Sequence, residues 1–415
     1  MYEGKILKFY REKAKITQEQ LGRGICSVTH ISKIERGLTE YSPEITMLLA
    51  QRLNINMEQE TANLINLKKK LDQWHEMIIS QDYSSATTIY DEFQENEMII
   101  ISEYYLYYLL LKGIYHLKQG FIKEAGTLIK TLQKKRNKLN NYEENLMKHV
   151  LGIYFMMTDD HLKSIHLLKS IQFDIYSNAL VYYDLAAAYH HIHSPVLAYY
   201  YGEKALNAYK KKNYFLGVID TENLMLIEVE SGQHRNFKET KEQYQDLIRL
   251  CDLCNSPDKK GKILHNFAYE HLKRKKYHEA GKLYKASMDL KEKKSNIYLL
   301  SLEGYVRCAN EGDFLEKDQL ISLIEEGLSI ASEIKEPLYN HVFLLHYYTI
   351  FDQEKQYYHY LTEKALPYFK EHGFFVTMKR YEKELFNYFL KTEQWERAVQ
   401  TADNIINKVD DTYIF

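Results

Sequence analysis

The chain has 415 residues, more than one ordinary core would use, which points to two or three units or a repeat array. Five prolines and seventeen glycines leave few strand-and-turn punctuators. With 45% apolar and 27% charged residues, the composition suits a helix-rich chain and excludes collagen-like, mucin-like and largely disordered ones. A formal net charge of −2 excludes a polycation, so any nucleic-acid contact must be local.

Such a local patch opens the chain. Residues 1–36 carry Lys5, Lys8, Arg11, Lys13, Lys15, Arg23, Lys33 and Arg36 against Glu3, Glu12, Glu19 and Glu35, a balance of +4. Four cysteines (Cys26, Cys251, Cys254, Cys308) make no disulfide framework, and no charged-then-apolar leader begins the sequence, so a reducing cytoplasm is expected. The most apolar run, Ile99 to Leu111, is too short to span a bilayer and contains Glu103, so a buried helix is expected there.

In chain order, Thr17-Gln18-Glu19-Gln20 is the pattern of a capping box and predicts a helix start. Gly22 and Gly24 cut that helix short. Ser27 caps a second helix, closed by Gly37. Ile31 and Ile34 share its inner face, leaving Val28, Thr29, Ser32, Lys33 and Arg36 outside. A small, polar, basic face of this kind suits the major groove. Val28, Thr29 and Ser32 are the candidates for approaching bases, with Ser27 and His30 on the same opening turns. Gln18, Lys33 and Arg36 are the candidates for gripping phosphates. Ser42 and Pro43 start a further helix whose Ile45, Leu48, Leu49 and Leu53 are spaced to cover the pair, and the module closes near Ile55.

Leu7, Arg11, Thr17-Gln18-Glu19, Leu21, Ser27, Ile31 to Gly37 and Pro43 resemble the helix-turn-helix domain of the phage-repressor (XRE/Cro) class. The resemblance implies that Arg11 and Glu35 form a structural ion pair. The short turn Gly24-Ile25-Cys26-Ser27 is similar to that of peptide-pheromone regulators of Gram-positive bacteria.

From about Ala62, helical segments alternate with short breaks, and similar words recur at spacings near forty residues. Phe121-Ile122-Lys123-Glu124-Ala125, Tyr277-His278-Glu279-Ala280 and Gln394-Trp395-Glu396-Arg397-Ala398 are the clearest copies, with weaker ones near His161, Val196, Phe237 and Gln356. About nine helix pairs between residues 62 and 407 follow. A turn aromatic just before a small alanine is expected to fill a gap between neighbouring helices. The copies resemble tetratricopeptide repeats (TPR), the best being Leu264, Phe267-Ala268, Tyr277 and Ala280.

A Cro-like head on residues 1–60 followed by such an array on 61–415 resembles the RRNPP family (Rgg, Rap, NprR, PlcR, PrgX). The expected fold is all-α, a helix-turn-helix domain and then a right-handed TPR superhelix of about nine pairs. The resemblance implies a cytoplasmic quorum-sensing transcription regulator, a homodimer or higher oligomer on a roughly palindromic double-stranded operator, controlled by a re-imported oligopeptide held in the repeat groove. It also implies that asparagines on central first helices clamp the peptide backbone, for which Asn223 and Asn266 stand in comparable places. Tyr183, Asp184, Arg307 and Asn340 lie on first helices of nearby repeats and are further candidates for side-chain specificity or a terminal charge.

Other readings are weaker. Cys251-x-x-Cys254 lacks a second pair and reads as packed thiols, and His190, His191 and His193 read as helix-end residues. No phosphate-cradling loop or nucleophile elbow occurs, so neither catalysis, a metal nor a cofactor is expected. A Rap-like modulator of response-regulator phosphorylation and a plain TPR scaffold are the alternatives.

Overall fold

Helix ends in this protein are written in side chains that satisfy backbone donors. In the computed structural model Thr17 Oγ1 accepts from the Gln20 N–H at 3.1 Å while Gln20 Oε1 accepts from the Thr17 N–H at 2.7 Å. Ser27 Oγ accepts from the His30 N–H, and Ser42 Oγ from the Ile45 N–H. The structure describes residues 2–38, 42–229 and 236–410, and every regular element among them is helical.

The head comprises α1 (Glu3–Lys13), α2 (Gln18–Gly22), α3 (Val28–Glu35) and α4 (Pro43–Arg52). Then follow α5 (Met57–Ser80), α6 (Tyr83–Glu95), α7 (Tyr105–Lys118), α8 (Ile122–Lys134), α9 (Asn141–Met157), α10 (His161–Lys169), α11 (Ala179–His191), α12 (Pro195–Lys212) and α13 (Phe215–Val229). Beyond these lie α14 (Phe237–Leu253), α15 (Pro257–Lys273), α16 (Tyr277–Met288), α17 (Asn296–Glu311), α18 (Lys317–Glu333) and α19 (Pro337–Ile350). The last are α20 (Glu354–Tyr360), continued through a π-helical turn into α21 (Leu366–Glu371), then α22 (Phe375–Lys391) and α23 (Trp395–Asp410). With α20 and α21 taken as one second helix, α5 to α23 fill nine first-then-second positions in order among the described residues, as the repeat spacing suggests. The chain divides into two compact units, Met1–Glu228 and Val229–Phe415.

In the first unit the head has its own small core of Leu7, Leu21, Ile31, Ile34 and Leu49. Ile45 and Leu53 pack against it partly buried, whereas Leu48, expected to help cover the pair, is exposed. Ile6 does not join that core. It is fully buried in the large cluster of the first repeats, with Leu67, Trp74 and Ile99, and Tyr2, Phe9 and Tyr10 pack against the same cluster. Trp74 anchors this region: its indole N–H donates to the Ala86 carbonyl at 3.0 Å, and its ring meets Tyr90, Phe93, Tyr108 and Tyr115. The expected boundary at residues 60 and 61 falls inside the continuous helix α5. The apolar run from Ile99 to Leu111 is not one helix: Asn96 caps a 3₁₀ turn at Glu97–Ile101, and α7 starts only at Tyr105.

The repeat alanines Ala125, Ala280 and Ala398 are buried as their spacing requires. Their turn aromatics differ: Tyr277 is half-buried and packs against the cluster of Ala268, Ala280 and Tyr284, whereas Phe121 and Trp395 are 50% and 60% exposed. The rings that fill gaps sit deeper, opposite glycines. A Cβ on Gly217 would come within 2.5 Å of Tyr209 in the first unit, and one on Gly327 within 2.5 Å of Phe343 in the second. Of the Cys251-x-x-Cys254 pair, Cys251 is buried on α14 and Cys254, just past its end, is half-buried; Cys308 is buried on α17.

Gly327→Ala is expected to push Phe343 off its packed position and to destabilise the second unit by about 1–3 kcal/mol. Differential scanning calorimetry should show a lowered transition; an unchanged one would mean that the α18–α19 contact yields freely.

Candidate functional site

The outward face of α3 is built from the inside. Ile31 and Ile34 are buried, which turns Val28, Thr29 and Lys33 outward, all exposed, together with Ser27 before the helix and Arg36 at its end. Val28 is 44% exposed, an apolar side chain held in solvent at the first turn. Ser32 is half-buried and its Oγ accepts from Arg36 Nη2 at 2.6 Å, which links two of the candidates. His30 is also half-buried, with Nε2 buried and without a hydrogen-bond partner.

Behind α3 lies a tight ion pair. Arg11 Nε donates to Glu35 Oε1 at 2.5 Å and Nη2 to Oε2 at 3.0 Å, and Nη1 reaches the Ile16 carbonyl at 3.1 Å. Glu35 is nearly sealed, and the carboxylate lifts the Arg11 guanidinium above its ordinary pKa against the opposing effect of burial. Gln18 completes the arrangement by donating to Glu35 Oε2 at 2.8 Å. That bond fixes α2 to α3 and engages one amide N–H of the half-buried Gln18. Arg52 plays a similar fastening part, donating to the carbonyls of Leu21 and Arg23 at the end of α2.

Polar contacts reinforce the junction between head and repeats. Lys13 pairs with Glu97, and the Tyr2 hydroxyl donates to Glu103 at 3.3 Å. Burial, with Glu60 as hydrogen-bond partner, pushes the Tyr10 phenol up to about 12. No sequence signal separates Ile6 from the head core, because its role depends on a surface 90 residues downstream.

The six peptide candidates fall in different settings. Asn223 on α13 and Asn266 on α15 are half-buried on first helices, one in each unit. Asp184 on α11 is fully buried, one carboxylate oxygen paired with Lys118 and the other 2.9 Å from His149 Nε2. Burial opposes its ionisation, but Lys118 and His149 outweigh burial and hold it below the usual carboxylate range. Asp184 is therefore an internal strut, which corrects its expected exposure to a ligand. Tyr183 lies beside the same lysine, whose ammonium is 6.0 Å from the ring centre. Arg307 on α17 donates to Glu311 at 2.8 Å, and Asn340 on α19 accepts from Ser332 at 3.4 Å.

The second unit adds a cluster that sequence spacing does not reveal. Glu303 Oε1 accepts from Arg380 Nη1 at 2.9 Å and lies 3.2 Å from His346 Nε2, joining α17, α19 and α22. Burial works against its charge, yet Arg380 and His346 hold it well below the ordinary carboxylate pKa. Glu303 and Arg380 are 77 residues apart in the chain, so only folding brings them together.

Known proteins carry the same parts. The helix-turn-helix family HTH_3 matches residues 7–59. The transcriptional activator NprA of Geobacillus stearothermophilus is 22% identical over 400 residues, covering 90% of this chain and 95% of that one. Among solved structures, the apo quorum sensor NprR of B. thuringiensis is 21% identical, with a TM-score of 0.63 over 82% of this chain and 98% of that one. NprR in complex with its cognate peptide NprX gives 0.65 at 21% identity over 83% and 99%. A Rap protein complexed with competence and sporulation factor gives 0.70 at 14% identity over 84% and 98%. Each of these relatives is 22% identical or less, so the likeness extends to the helix-turn-helix head and to the fold. The NprR and Rap likenesses establish the fold class, all-α with an N-terminal helix-turn-helix and TPR-like helix pairs. Among the described residues, no helix is long and apolar enough to cross a membrane.

Glu35→Ala should leave Arg11 and Gln18 facing an empty partner, at a cost of about 3–5 kcal/mol. Amide hydrogen exchange is expected to accelerate across α1 to α3 while α7 to α12 stay protected; uniform protection would show the pair to be dispensable.

Proposed function

We propose that the chain is a peptide-controlled, quorum-sensing transcription regulator of the cytoplasm, a regulator and not a catalyst. The observation that carries this is the exposed face of α3, small at its first turn and basic at its last, on a head fastened to a TPR-like array. NprA is named a transcriptional activator, and NprR a quorum sensor solved with its peptide. Those functions support the same reading for this chain.

In this reading Ser27, Val28, Thr29 and Ser32 approach base edges, while Lys33 and Arg36 neutralise phosphates. A homodimer presents two heads to a roughly palindromic operator, since two-fold symmetry in the protein matches two-fold symmetry in the site. The oligopeptide is bound by first-helix side chains, with Asn266 as the preferred amide clamp in the second unit and Asn223 in the first. Tyr183, Arg307 and Asn340 are secondary contacts. A peptide that binds one arrangement of the helices better than another shifts the population by that difference in affinity, and this suffices to control the heads.

A double substitution, Lys33→Ala with Arg36→Ala, should weaken binding to an operator selected from random duplexes. It should also reduce the slope of log affinity against log salt by about one or two units. Unaltered affinity and slope would remove α3 from the interface. For the peptide, Asn266→Ala is expected to abolish retention of ligand from a synthetic heptapeptide mixture while DNA binding persists. Undiminished retention would reject Asn266 as a clamp.

A further inference from the structure

In the second unit, one lysine of the segment between α16 and α17 is held by neutral groups. Lys291 is half-buried, and its Nζ donates to Ser301 Oγ at 2.7 Å and to the Ile297 carbonyl at 3.0 Å. Its stem lies along Gly261 of α15, where an added Cβ would stand 3.5 Å from Lys291 Cε. The next lysines of the same segment, Lys293 and Lys294, are paired with Glu326 and Glu333. Lys291 has no such counter-ion among the described residues. Its partners are a hydroxyl and a carbonyl, and the charged group that faces it is another cation, Lys262 of α15.

Ser301 is fully buried and belongs to a polar set that joins three helices. Its Oγ is 3.0 Å from His265 Nδ1 on α15 and 3.2 Å from Ser287 Oγ on α16, and Ser287 Oγ donates to the Gly261 carbonyl at 2.6 Å. None of these groups carries a charge at pH 7, because burial lowers the His265 ring to about 3. An ammonium anchored on neutral acceptors gains less than one anchored on a carboxylate. Burial and the Lys262 ammonium both oppose the charge and lower Lys291 to about 8. At pH 7 roughly a tenth of such amines are neutral, against roughly three in ten thousand for a lysine at its ordinary pKa.

We propose that Lys291 is a site of covalent acylation, modified through its neutral amine by an activated acyl donor, either an acyl phosphate or a thioester. The nitrogen lone pair forms the new bond to the acyl carbon. The bond from that carbon to phosphate oxygen or thiol sulfur breaks with its electron pair, and the nitrogen proton leaves with the departing group. The product amide keeps one N–H for Ser301 Oγ or the Ile297 carbonyl, so no buried acceptor is stranded and the half-buried charge is gone. The site uses none of the residues assigned above to DNA or peptide.

Acetylation is followed lysine by lysine, by digestion and mass spectrometry, in full-length protein held at pH 7 with acetyl phosphate or with S-acetyl-N-acetylcysteamine. Lys285, exposed on α16, is the internal reference. With at least one donor Lys291 should be acetylated ten-fold or more faster than Lys285, and whichever donor does so identifies the source. The rate at Lys291 should level off above about pH 8 while that at Lys285 keeps rising. Lys262→Glu, at an exposed position, should supply the missing counter-charge, move that bend upward and slow labelling at pH 7 several-fold. Labelling no faster than at Lys285 with both donors, a bend no lower than that of Lys285, or a rate indifferent to Lys262→Glu would overturn the proposal.

Discussion

Two consecutive residues of α1 serve two different cores. Neighbouring positions on an α-helix diverge by roughly 100°, so Leu7 can face the head while Ile6 faces the repeats, and both are fully buried. Burying one such side chain contributes about 1.5–3 kcal/mol, and Tyr2, Phe9 and Tyr10 add area on the repeat side. A helix so committed cannot change its angle to one partner without losing contact with the other. The head and the first helix pair are consequently one mechanical piece, and α5 running unbroken from Met57 to Ser80 strengthens the junction. Any change in the direction in which α3 faces must therefore move that whole piece.

The same economy governs the array. A stack of helix pairs needs close backbone approach, and this chain achieves it with glycine opposite ring, as at Gly217 with Tyr209 and Gly327 with Phe343. Polar groups buried in the process are not left idle. The path from Lys118 through Asp184, His149 and Tyr176 links α7, α9, the segment before α11 and α11 itself by hydrogen bonds inside the first unit. Glu303 with Arg380 and His346 performs the comparable office in the second. Removing one member of such a set leaves a buried charge without its counterpart, which is why these residues define position more than they add stability.

Much of the head was legible because its signals are local. Thr17, Ser27 and Ser42 cap helices three residues away, and the i, i+3 spacing of Ile31 and Ile34 fixes which side of α3 faces out. Repeat number was legible from similar words recurring near every forty residues. What escaped depends on distant chain. Gln18 reads as a surface amide until Glu35 is placed beside it, and Asp184 reads as a groove residue until Lys118 and His149 close over it. The run from Ile99 to Leu111 misleads because hydropathy does not register the cap at Asn96 or the 3₁₀ turn that follows. The turn aromatics Phe121 and Trp395 misled for a related reason, since composition places a ring near each alanine but does not say how deep it sits, whereas Tyr277 packs as its spacing suggests.

The shared helix also bears on how such proteins can be recombined. A head excised at residue 60 would carry Ile6, Phe9 and Tyr10 into water as a new sticky face, and an array stripped of its head would bare the matching depression around Trp74 and Ile99. Grafting this head onto another body therefore requires carrying its seat with it, at least through the turn ending at Ile101. The head and the scaffold that presents it are inherited together.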